Sequence, residues 1–456
     1  MSNIDESFSI APGHELRLFT PPSSTFATET EGLTLSILDR GAEVTGTELP
    51  AGATLTVPPS SSLSILVPSI GQRGGGGVRV QVTGRGSGYV SSETDAAARL
   101  VSVHGTAAQA RAQGKGPRII IVGPQDVGKS TVFRTLLSYA ARSGHTCTAV
   151  DLDVGQGSIG LPGTLGAVTV STPLAPQSAH LDLVEAAKVP GFGTPSPLLY
   201  WYGALALSEN PELYLKLVSA LFAAVDAREA AHPSLAAAGA IINTCGWVEG
   251  LGFEILKGVI ERSRADTVLV LGHERVYHEL RRALAGTSLT VVRVPQSPGV
   301  EPRDRTVRHE ARIARMRNYF YGSNRASKRT LYNWDDVTVC QVGGGPQAPT
   351  SALPIGEERK LDITRALAVD LANSTQDVLC AVSYATVPDE EEDDDEREGD
   401  AAAGDGPTNT TALTPIAGYV LLTEVDEERK SLRLVQPVPG ALPGVLVRSN
   451  ITYLDE

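Results

Sequence analysis

Short stretches in which apolar and polar residues alternate fill the first part of the chain, up to about residue 90. The clearest are 33–37 and 78–82, where every second position is apolar. Side chains two residues apart point to the same face of a strand, so each stretch predicts a strand with one buried face. Proline and glycine separate the stretches. Together they predict a small β-sandwich or barrel.

Continuous apolar runs replace the alternation after Arg118. The run 119–122 ends in a loop that contains glycine, and 130–141 has the pattern of a helix. Further strands are predicted at 148–152, 240–243, 267–271 and 289–294, and further helices at 93–112, 211–228 and 253–264. Apolar strands separated by helices are typical of a parallel sheet that is buried on both faces. The middle of the chain therefore predicts an α/β core of about 200 residues.

The last part of the chain, after Gly322, returns to short strand-like runs. They lie at 337–342, 379–385, 417–425 and 431–435 and follow a polar stretch at 323–329. Residues 389–405 contain eleven acidic residues and one arginine, and such a segment cannot bury enough apolar area to offset the entropy lost on ordering. We predict a mainly β domain with a disordered acidic insertion at 389–410. A specific acidic interaction segment is the alternative.

The composition is that of an ordinary globular protein, with 41% hydrophobic and 20% charged residues. It argues against wholesale disorder and against a fibrous repeat. No apolar run approaches the roughly 20 residues that span a bilayer, and residues 1–10 lack the basic and apolar regions of a signal peptide. We expect a protein that stays inside the cell and has no membrane partner.

The net charge of −13 comes mostly from the acidic segment, whose eleven acidic residues and one arginine contribute −10. The rest of the chain is near neutral, so the total does not exclude a nucleic-acid partner. The four cysteines form no CxxC pair and have too few histidines nearby for a zinc site. We predict reduced, mostly buried thiols at Cys147, Cys245, Cys340 and Cys380.

A phosphate-binding motif stands between the first apolar strand and its helix. Residues 123–130 read GPQDVGKS and fit the pattern GxxxxGK[ST]. Glycines let the backbone wrap with its N–H groups inward, and the helix N-terminus adds positive potential for phosphates. Lys129 would reach the β- and γ-phosphates, and the Ser130 hydroxyl would hold Mg²⁺. An ordinary glycine-rich turn between strand and helix is the alternative.

The motif and the apolar pattern together predict the fold class. We expect an α/β protein whose central domain is a parallel sheet of the P-loop NTPase type, flanked by an N-terminal β-sandwich and a mainly β C-terminal domain. At about 100 to 200 residues per domain, a chain of 456 residues has room for three domains. The predicted boundaries are 1–105, 106–322 and 323–456.

Two carboxylates end the next predicted strand. Asp151 and Asp153 are two residues apart, and at the carboxyl end of a parallel strand their shared face opens onto the ligand crevice. Phosphoryl transfer needs a metal site and an oriented nucleophile, which one carboxylate near the Mg²⁺ and one near the attacking hydroxyl would provide. A solvated aspartate pair that caps a turn is the alternative.

Six arginines crowd the segment 301–321, for which we predict one helix. Arg308, Arg312 and Arg315 are spaced by four and then three residues, which places their guanidiniums on one helix face. Such a face suits phosphate clamping or closure over a γ-phosphoryl group. A charge-rich solvated helix is the alternative, because three acidic residues of the same segment are available as ion-pair partners.

Five elements in this order resemble a known family. They are GPQDVGKS, DLDVGQGSIGLPGTLGA at 151–167, NTCGW at 243–247, the arginine-rich stretch ending YFYG, and the closing GYVLLTEVDEERKSLRLVQPVPGALP. They resemble the polynucleotide 5′-hydroxyl kinase family that includes the ATP-binding subunit of the eukaryotic, fungal-type mRNA cleavage and polyadenylation factor. The resemblance covers essentially the whole chain.

The resemblance implies ATP and Mg²⁺ as cofactors and assigns residues to them. The nucleotide contacts would be Glu15, Gln125, Asp126, Val127, Gly128, Lys129, Ser130 and Thr131, with Glu15 at the adenine and with Ser130 and Asp151 at the metal. The catalytic residues would be Lys129, Asp153, Arg303 and Arg308, where Asp153 faces the nucleophile and the two arginines belong to a lid. Trp247 would stack on an RNA base; simple core packing is its alternative role. The family's nucleotide-contacting lysine of the N-terminal domain has no counterpart in PPSSSL at 58–63, so that domain would hold the nucleotide somewhat differently.

The resemblance leaves two functions open. The first is the ATP-binding subunit of a nuclear pre-mRNA cleavage factor, in which the nucleotide is structural and the partner is the scaffold subunit that reads the polymerase tail. The second is an active ATP-dependent RNA 5′-hydroxyl kinase that also binds the 5′ end of an RNA. A generic P-loop GTPase or transporter ATPase is disfavoured, since the sequence has no NKxD element and no second ATPase signature.

Overall fold

The computed structural model of the chain describes residues 3–21, 32–69, 76–176, 196–322, 328–343, 364–369, 371, 376–385, 411–437, 442 and 444–453. Residue contacts divide the chain into two units. The first comprises Met1–Asp153, Ala167–Pro197 and Ala224–Ala311, and the second comprises Val154–Gly166, Leu198–Ala223 and Arg312–Glu456. Within the described ranges, no helix combines the length and the apolar character needed to cross a membrane.

Strands β1 to β9 form the N-terminal part of the first unit. They are β1 (Asn3–Ile10), β2 (Glu15–Phe19), β3 (Leu33–Ile37), β4 (Ala42–Val44), β5 (Thr47–Leu49), β6 (Thr54–Val57), β7 (Ser62–Leu66), β8 (Val78–Arg85) and β9 (Ser87–Ser91). They make two antiparallel sheets with the strand orders β1-β8-β3-β6 and β5-β4-β7-β2-β9. Apolar residues of both sheets, including Leu16, Leu35, Ile65 and Val80, share one buried core. The predicted β-sandwich is confirmed, because the alternate apolar positions of β3 and β8 are the buried ones.

Strands and helices alternate in the middle of the chain. They are α1 (Asp95–Ala112), β10 (Arg118–Val122), α2 (Lys129–Arg142), β11 (Cys147–Asp151), β12 (Thr164–Val170), β13 (Leu198–Trp201), α3 (Pro211–Ala231), α4 (Pro233–Ala238), β14 (Ala240–Asn243), α5 (Leu251–Ser263), β15 (Thr267–Leu271), α6 (Glu274–Ala283), β16 (Thr290–Val294) and α7 (Arg305–Tyr321). Within the first unit, β11, β14, β10, β15 and β16 pair in parallel in that order. The predicted α/β core is therefore confirmed, although the sequence did not predict β12 and β13.

The central strands are buried because their side chains are apolar on both faces. Nearly every residue of β10, β11, β14 and β15 is buried, whereas the outer strand β16 is partly exposed. The carboxyl ends of parallel strands meet at one edge of a sheet. The residues that follow β10, β11 and β14 therefore lie close together.

Hydrogen bonds connect the N-terminal sandwich to α2, the helix that begins in the phosphate-binding motif. Glu43 is 5% exposed and accepts hydrogen bonds from the Tyr139 hydroxyl at 2.6 Å and from the Arg142 guanidinium at 2.9 Å. Burial raises the pKa of Tyr139, so its hydroxyl stays protonated and donates. Arg142 also donates to the Gly46 carbonyl at 3.0 Å. These bonds hold the sandwich in a defined position beside the motif.

A mixed sheet forms the C-terminal part of the second unit. Its strands are β17 (Lys328–Asn333), β18 (Val339–Val342), β19 (Ala366–Ala368), β20 (Val378–Ser383), β21 (Ile416–Asp426), β22 (Ser431–Gln436) and β23 (Leu446–Thr452). They pair in the order β17-β22-β21-β20-β23-β18-β19, and only β18 and β23 are described as a parallel pair. Leu422, Leu434 and Leu446 belong to its buried core.

The mainly β character predicted for this part of the chain is confirmed. The sequence missed β17, β19 and β23; β17 begins at the end of the polar stretch 323–329, before the first strand predicted for this part of the chain. The predicted acidic insertion at 389–410 lies outside the described residues and stays a prediction.

A buried tyrosine of β21 fixes part of the glycine-rich segment 154–166. The hydroxyl of Tyr419 accepts a hydrogen bond from the Leu161 amide at 3.1 Å and shares one with the Thr164 hydroxyl at 2.8 Å. Gly160 adopts a φ of +80°, and a Cβ added there would lie 2.4 Å from the same hydroxyl. Only glycine fits this position without a shift of its neighbours, which explains one glycine of the motif at 151–167.

Tyr419→Phe should lower the free energy of unfolding by about 1–3 kcal/mol, because it removes the acceptor of a buried amide and keeps the ring. Urea titration measures the change. Tyr384→Phe is the matched control, since Tyr384 is 57% exposed and surface substitutions usually stay within about 0.5 kcal/mol. An equal loss in the two variants would contradict the role assigned to the Tyr419 hydroxyl.

Candidate nucleotide-binding site

The loop between β10 and α2 has the geometry of a phosphate cradle. Gly128, immediately before α2, adopts a φ of +89°, a left-handed conformation that glycine accepts without strain. Glycine has no side chain to cap the first turn of α2, so the N–H groups of that turn can bind an anion. Lys129 is 7% exposed and donates from Nζ to the Pro124 carbonyl at 2.6 Å. A buried ammonium and a helix N-terminus therefore lie in the same loop.

The electrostatics around Lys129 favour an anionic ligand. Burial is the largest influence and lowers the pKa of Lys129, while the neighbouring Asp153 raises it. The ammonium is therefore destabilised by its surroundings. A phosphate beside it would oppose this effect, because an opposite charge favours the charged form of lysine.

The two predicted carboxylates lie at the end of β11. Asp151 is 1% exposed, and its Oδ1 accepts hydrogen bonds from the Asn243 side-chain amide at 3.0 Å and from the Asp153 backbone N–H at 3.1 Å. Asn243 ends β14, which pairs with β11, so the neighbouring strand orients Asp151. Asp153 is half-buried and close enough to Lys129 to influence its pKa. The burial of Asp151 argues against the alternative of a solvated pair.

A thiol completes this edge of the sheet. Burial, and after it the charge of Asp153, raises the pKa of Cys245 to about 12. The thiol therefore stays protonated near neutral pH and is a poor nucleophile. All four cysteines are free, and Cys245 is the one that is only half-buried, in agreement with the sequence prediction.

The predicted lid arginines contact the phosphate-binding loop through Asp126. Arg308 donates to Asp126 Oδ2 at 2.6 Å. Arg303 donates to the same carboxylate from its backbone N–H at 3.2 Å and from Nε at 3.4 Å. The sequence suggested the acidic residues of the segment 301–321 as ion-pair partners of these arginines. In the structure, the partner of both is Asp126 of the phosphate-binding loop.

The arginine-rich helix of the predicted lid begins later than the sequence predicted. We expected a helix over 301–321, but α7 begins at Arg305, so Arg303 precedes it. Pro302 disfavours helical conformation in the residue before it. The Asp304 carboxylate accepts a hydrogen bond from the Val307 N–H at 2.8 Å, which is the bond of an N-terminal cap. Farther along α7, Arg315 donates to the Gly157 carbonyl.

Trp247 is half-buried, and its indole ring packs against the backbone of α5. A Cβ added at Gly252 would lie 2.5 Å from the indole ring, so one face of the ring is covered by helix backbone. The residue before it, Gly246, is packed against the phosphate-binding loop, since a Cβ there would lie 2.5 Å from Gln125 Cγ. The indole is therefore packed on one side and partly exposed, and its stacking on an RNA base stays a prediction.

Glu15 is connected to the phosphate-binding loop through Arg17, a residue that the sequence did not single out. It is 6% exposed and accepts a hydrogen bond from Arg17 Nε at 2.5 Å. Arg17 in turn packs on Gly299, where an added Cβ would lie 2.9 Å from Arg17 Cδ, and the Val300 side chain lies 3.3 Å from a Cβ added at Gly128. Residues 299 and 300 therefore connect the base of the lid with β2 and with the phosphate-binding loop. The available signal was a charged residue between two buried leucines of β2.

The donor set fits a nucleoside triphosphate with a magnesium ion. Val127 is buried while Gln125, Ser130 and Thr131 are exposed, so the hydroxyls at the start of α2 are accessible. In the part of the chain that the structure describes, no group of three or more His, Cys, Asp or Glu side chains could hold a metal ion. The two metal residues that the resemblance implies, Ser130 and Asp151, would share a Mg²⁺ with phosphate oxygens and water, which is how magnesium is commonly bound.

Two family profiles match the chain. The one described as mRNA cleavage and polyadenylation factor CLP1 P-loop matches residues 123–322, and the one described as Pre-mRNA cleavage complex II protein Clp1 matches residues 329–455. The Protein CLP1 homolog of Arabidopsis thaliana is 33% identical over 444 residues, which cover 93% of this chain and 90% of that protein. The Polyribonucleotide 5′-hydroxyl-kinase Clp1 of Homo sapiens is 33% identical over 434 residues, which cover 93% of this chain and 92% of that protein.

Two solved structures of similar fold contain Clp1p and Pcf11p. A structure of the interface between Pcf11p and Clp1p matches with a TM-score of 0.78 and 21% identity and covers 100% of both chains. A second, of the wild-type Clp1p-Pcf11p complex, matches with a TM-score of 0.76 and 21% identity and covers 100% of this chain and 99% of that one. At this identity the likeness supports the fold alone.

Proposed function

Because the chain belongs to the Clp1 family of mRNA cleavage and polyadenylation factors, we propose that it is the ATP-binding subunit of a nuclear pre-mRNA cleavage factor that acts at mRNA 3′ ends. The observation that carries the proposal is the buried Lys129 in a glycine-bounded loop at a helix N-terminus. Such a loop binds the phosphates of a nucleotide through backbone N–H groups and one ammonium.

Each residue of the site has a role in holding the nucleotide. The backbone from Gln125 to Thr131 surrounds the phosphates, and Lys129 pairs with their charge. Ser130 and Asp151 would hold Mg²⁺, which would offset the negative charge of the phosphates. Glu15, oriented by Arg17, contacts the adenine. A nucleotide bound by both the sandwich and the loop before α2 stabilises their arrangement, because it binds the folded chain alone.

The partner that we propose is the scaffold subunit of the cleavage factor, the subunit that reads the polymerase tail. The support is that the similar solved structures contain Clp1p together with Pcf11p. The chain would join this complex in the nucleus.

Depletion of the chain from a nuclear extract of its own cells tests the proposed function. We expect the depleted extract to lose cleavage of a pre-mRNA substrate at its 3′ end. Purified chain, added back together with the co-depleted scaffold subunit, should restore cleavage. A mock-depleted extract is the control. Full cleavage in an extract that contains no detectable chain would contradict the proposal.

A second function is favoured by the position of Asp153, which is half-buried at the carboxyl end of β11 and close to Lys129. An RNA 5′-hydroxyl kinase needs a carboxylate there. The hydroxyl oxygen would bond to the γ-phosphorus of ATP while the bond from that phosphorus to the β–γ bridging oxygen breaks. Asp153 would accept the hydroxyl proton, and ADP would leave. Trp247 would stack on a base at the 5′ end.

A further inference from the structure

We propose that the side chain of Asp126 is the anchor of the lid: it positions Arg303 and Arg308 over the bound nucleotide and thereby slows nucleotide release. The inference rests on the proposed ATP-binding function and deepens it. It assigns a positioning role to a side chain whose residue is otherwise expected to contribute only backbone contacts to the phosphates.

The first observation is the conformation of Asp126. Its φ is +53°, in the left-handed region that residues other than glycine adopt rarely. Aspartate and asparagine tolerate this region better than other side chains do. Such conformations persist where the surrounding contacts favour them, and they concentrate at functional sites. The conformation sends the carboxylate toward the lid, where its bonds to Arg303 and Arg308 are found.

The second observation is that one carboxylate holds two guanidiniums and one backbone group. The Asp126 side chain is 12% exposed, and that of Arg308 is 25% exposed. Arg308 also donates to the Arg303 carbonyl at 2.6 Å, so the two lid residues are bound to each other as well as to Asp126. Charge-assisted bonds that are shielded from water are stronger than exposed ones, so the bond to Arg308 contributes more than the bonds to Arg303, whose side chain is 47% exposed. The start of the lid is thereby tied to the phosphate-binding loop itself.

The third observation is that Asp126 binds the chain at the point where the lid begins. The backbone N–H of Arg303 binds Asp126 one residue before the capping residue Asp304. Val300 meanwhile packs on Gly128. The entry into α7 is therefore fixed at two points of the phosphate-binding loop. When the base of a lid is already fixed, fewer residues have to become ordered as the lid closes over the ligand. The smaller entropy loss favours the closed state.

Asp126 does not compete with phosphate for the arginines, because a guanidinium has five donors. A guanidinium can bind one carboxylate and still present N–H groups to a phosphate oxygen. The anchor therefore keeps both arginines near the phosphates before the nucleotide arrives. If Asp126 instead sequestered the arginines, its removal would strengthen nucleotide binding, so the direction of the effect separates the two roles.

The test measures the dissociation rate of N-methylanthraniloyl-ATP from the full-length chain, chased with excess ATP in the presence of Mg²⁺. Asp126→Asn keeps the size of the side chain and its tolerance of positive φ, and it removes the charge. We expect about a tenfold or greater acceleration of release, the effect of losing charge-assisted bonds. In an Arg303→Ala/Arg308→Ala background the same substitution should change the rate little, because the anchor then has nothing to hold.

Asp304→Asn is the matched control, since it makes the same charge change in the lid and asparagine still caps a helix. It should leave the release rate close to that of the parent. An unchanged or slower release from Asp126→Asn, or an equal acceleration in the background without the two arginines, would overturn the inference and leave the proposed function standing. A parent protein that binds no ATP would overturn both.

Discussion

If the chain is an RNA 5′-hydroxyl kinase, Asp153→Asn should abolish transfer of labelled phosphate from γ-labelled ATP to a 5′-hydroxyl oligoribonucleotide while leaving ATP binding close to that of the parent. The carboxylate stands at the end of β11 beside Lys129, where a kinase needs a group that orients the attacking hydroxyl and takes its proton. Loss of such a preorganised group typically costs on the order of a hundredfold or more in rate. The measurement is the initial rate of label transfer at saturating ATP.

The control is Asp39→Asn, because Asp39 forms an ion pair with Arg79 in the N-terminal sandwich. It should transfer label at the rate of the parent. Arg308→Ala should fail like Asp153→Asn if the lid stabilises the charge of the transferring phosphoryl group. If the parent itself transfers no label under conditions in which an active relative does, the kinase function is excluded, and the same residues form a closed cage for a structural nucleotide.

Lys129→Ala should lose both retained ATP and the thermal stabilisation that ATP gives. A ligand that binds only the folded state adds about 2.7 kcal/mol at a hundredfold excess over its Kd. The Lys129 ammonium, which would pair with the phosphates, is buried in the loop, so its removal should eliminate most of the stabilisation that ATP adds. The measurement is the melting temperature of parent and variant with and without ATP and Mg²⁺.

Lys257→Ala is the matched control for this experiment. Lys257 forms an exposed ion pair with Glu254 on α5 and should leave the ATP-dependent shift in melting temperature unchanged. A Lys129→Ala protein that is stabilised by ATP as much as the parent would contradict the role of the loop in nucleotide binding.

The elements that the sequence predicted well are those with a strong local pattern. Strands β10, β11, β14 and β15 consist mostly of apolar residues, and the phosphate-binding motif marks the turn between β10 and α2. The family suggested by the five motifs is confirmed by the matches over most of the chain. The sequence is sufficient to locate these elements because consecutive residues carry both signals: a continuous apolar run marks a buried strand, and the spacing GxxxxGK[ST] marks the loop.

Two features that the sequence did not predict are contacts between residues far apart in the chain. The Arg17 side chain packs on Gly299, and the Asp126 carboxylate binds Arg308. The start of α7 depends on the cap at Asp304, which the arginine spacing obscured. The roles of the individual site residues, the three-domain boundaries and the acidic insertion remain predictions.

The most direct test of the account is the nucleotide content of the purified chain. The protein is purified without added nucleotide and denatured, and the supernatant is separated by ion-exchange chromatography. We expect ATP in stoichiometric amount, because a buried cradle closed by an anchored lid releases its ligand slowly. A chain that carries no nucleotide, and whose melting temperature does not rise when ATP and Mg²⁺ are added, would contradict the claim that this is an ATP-binding subunit.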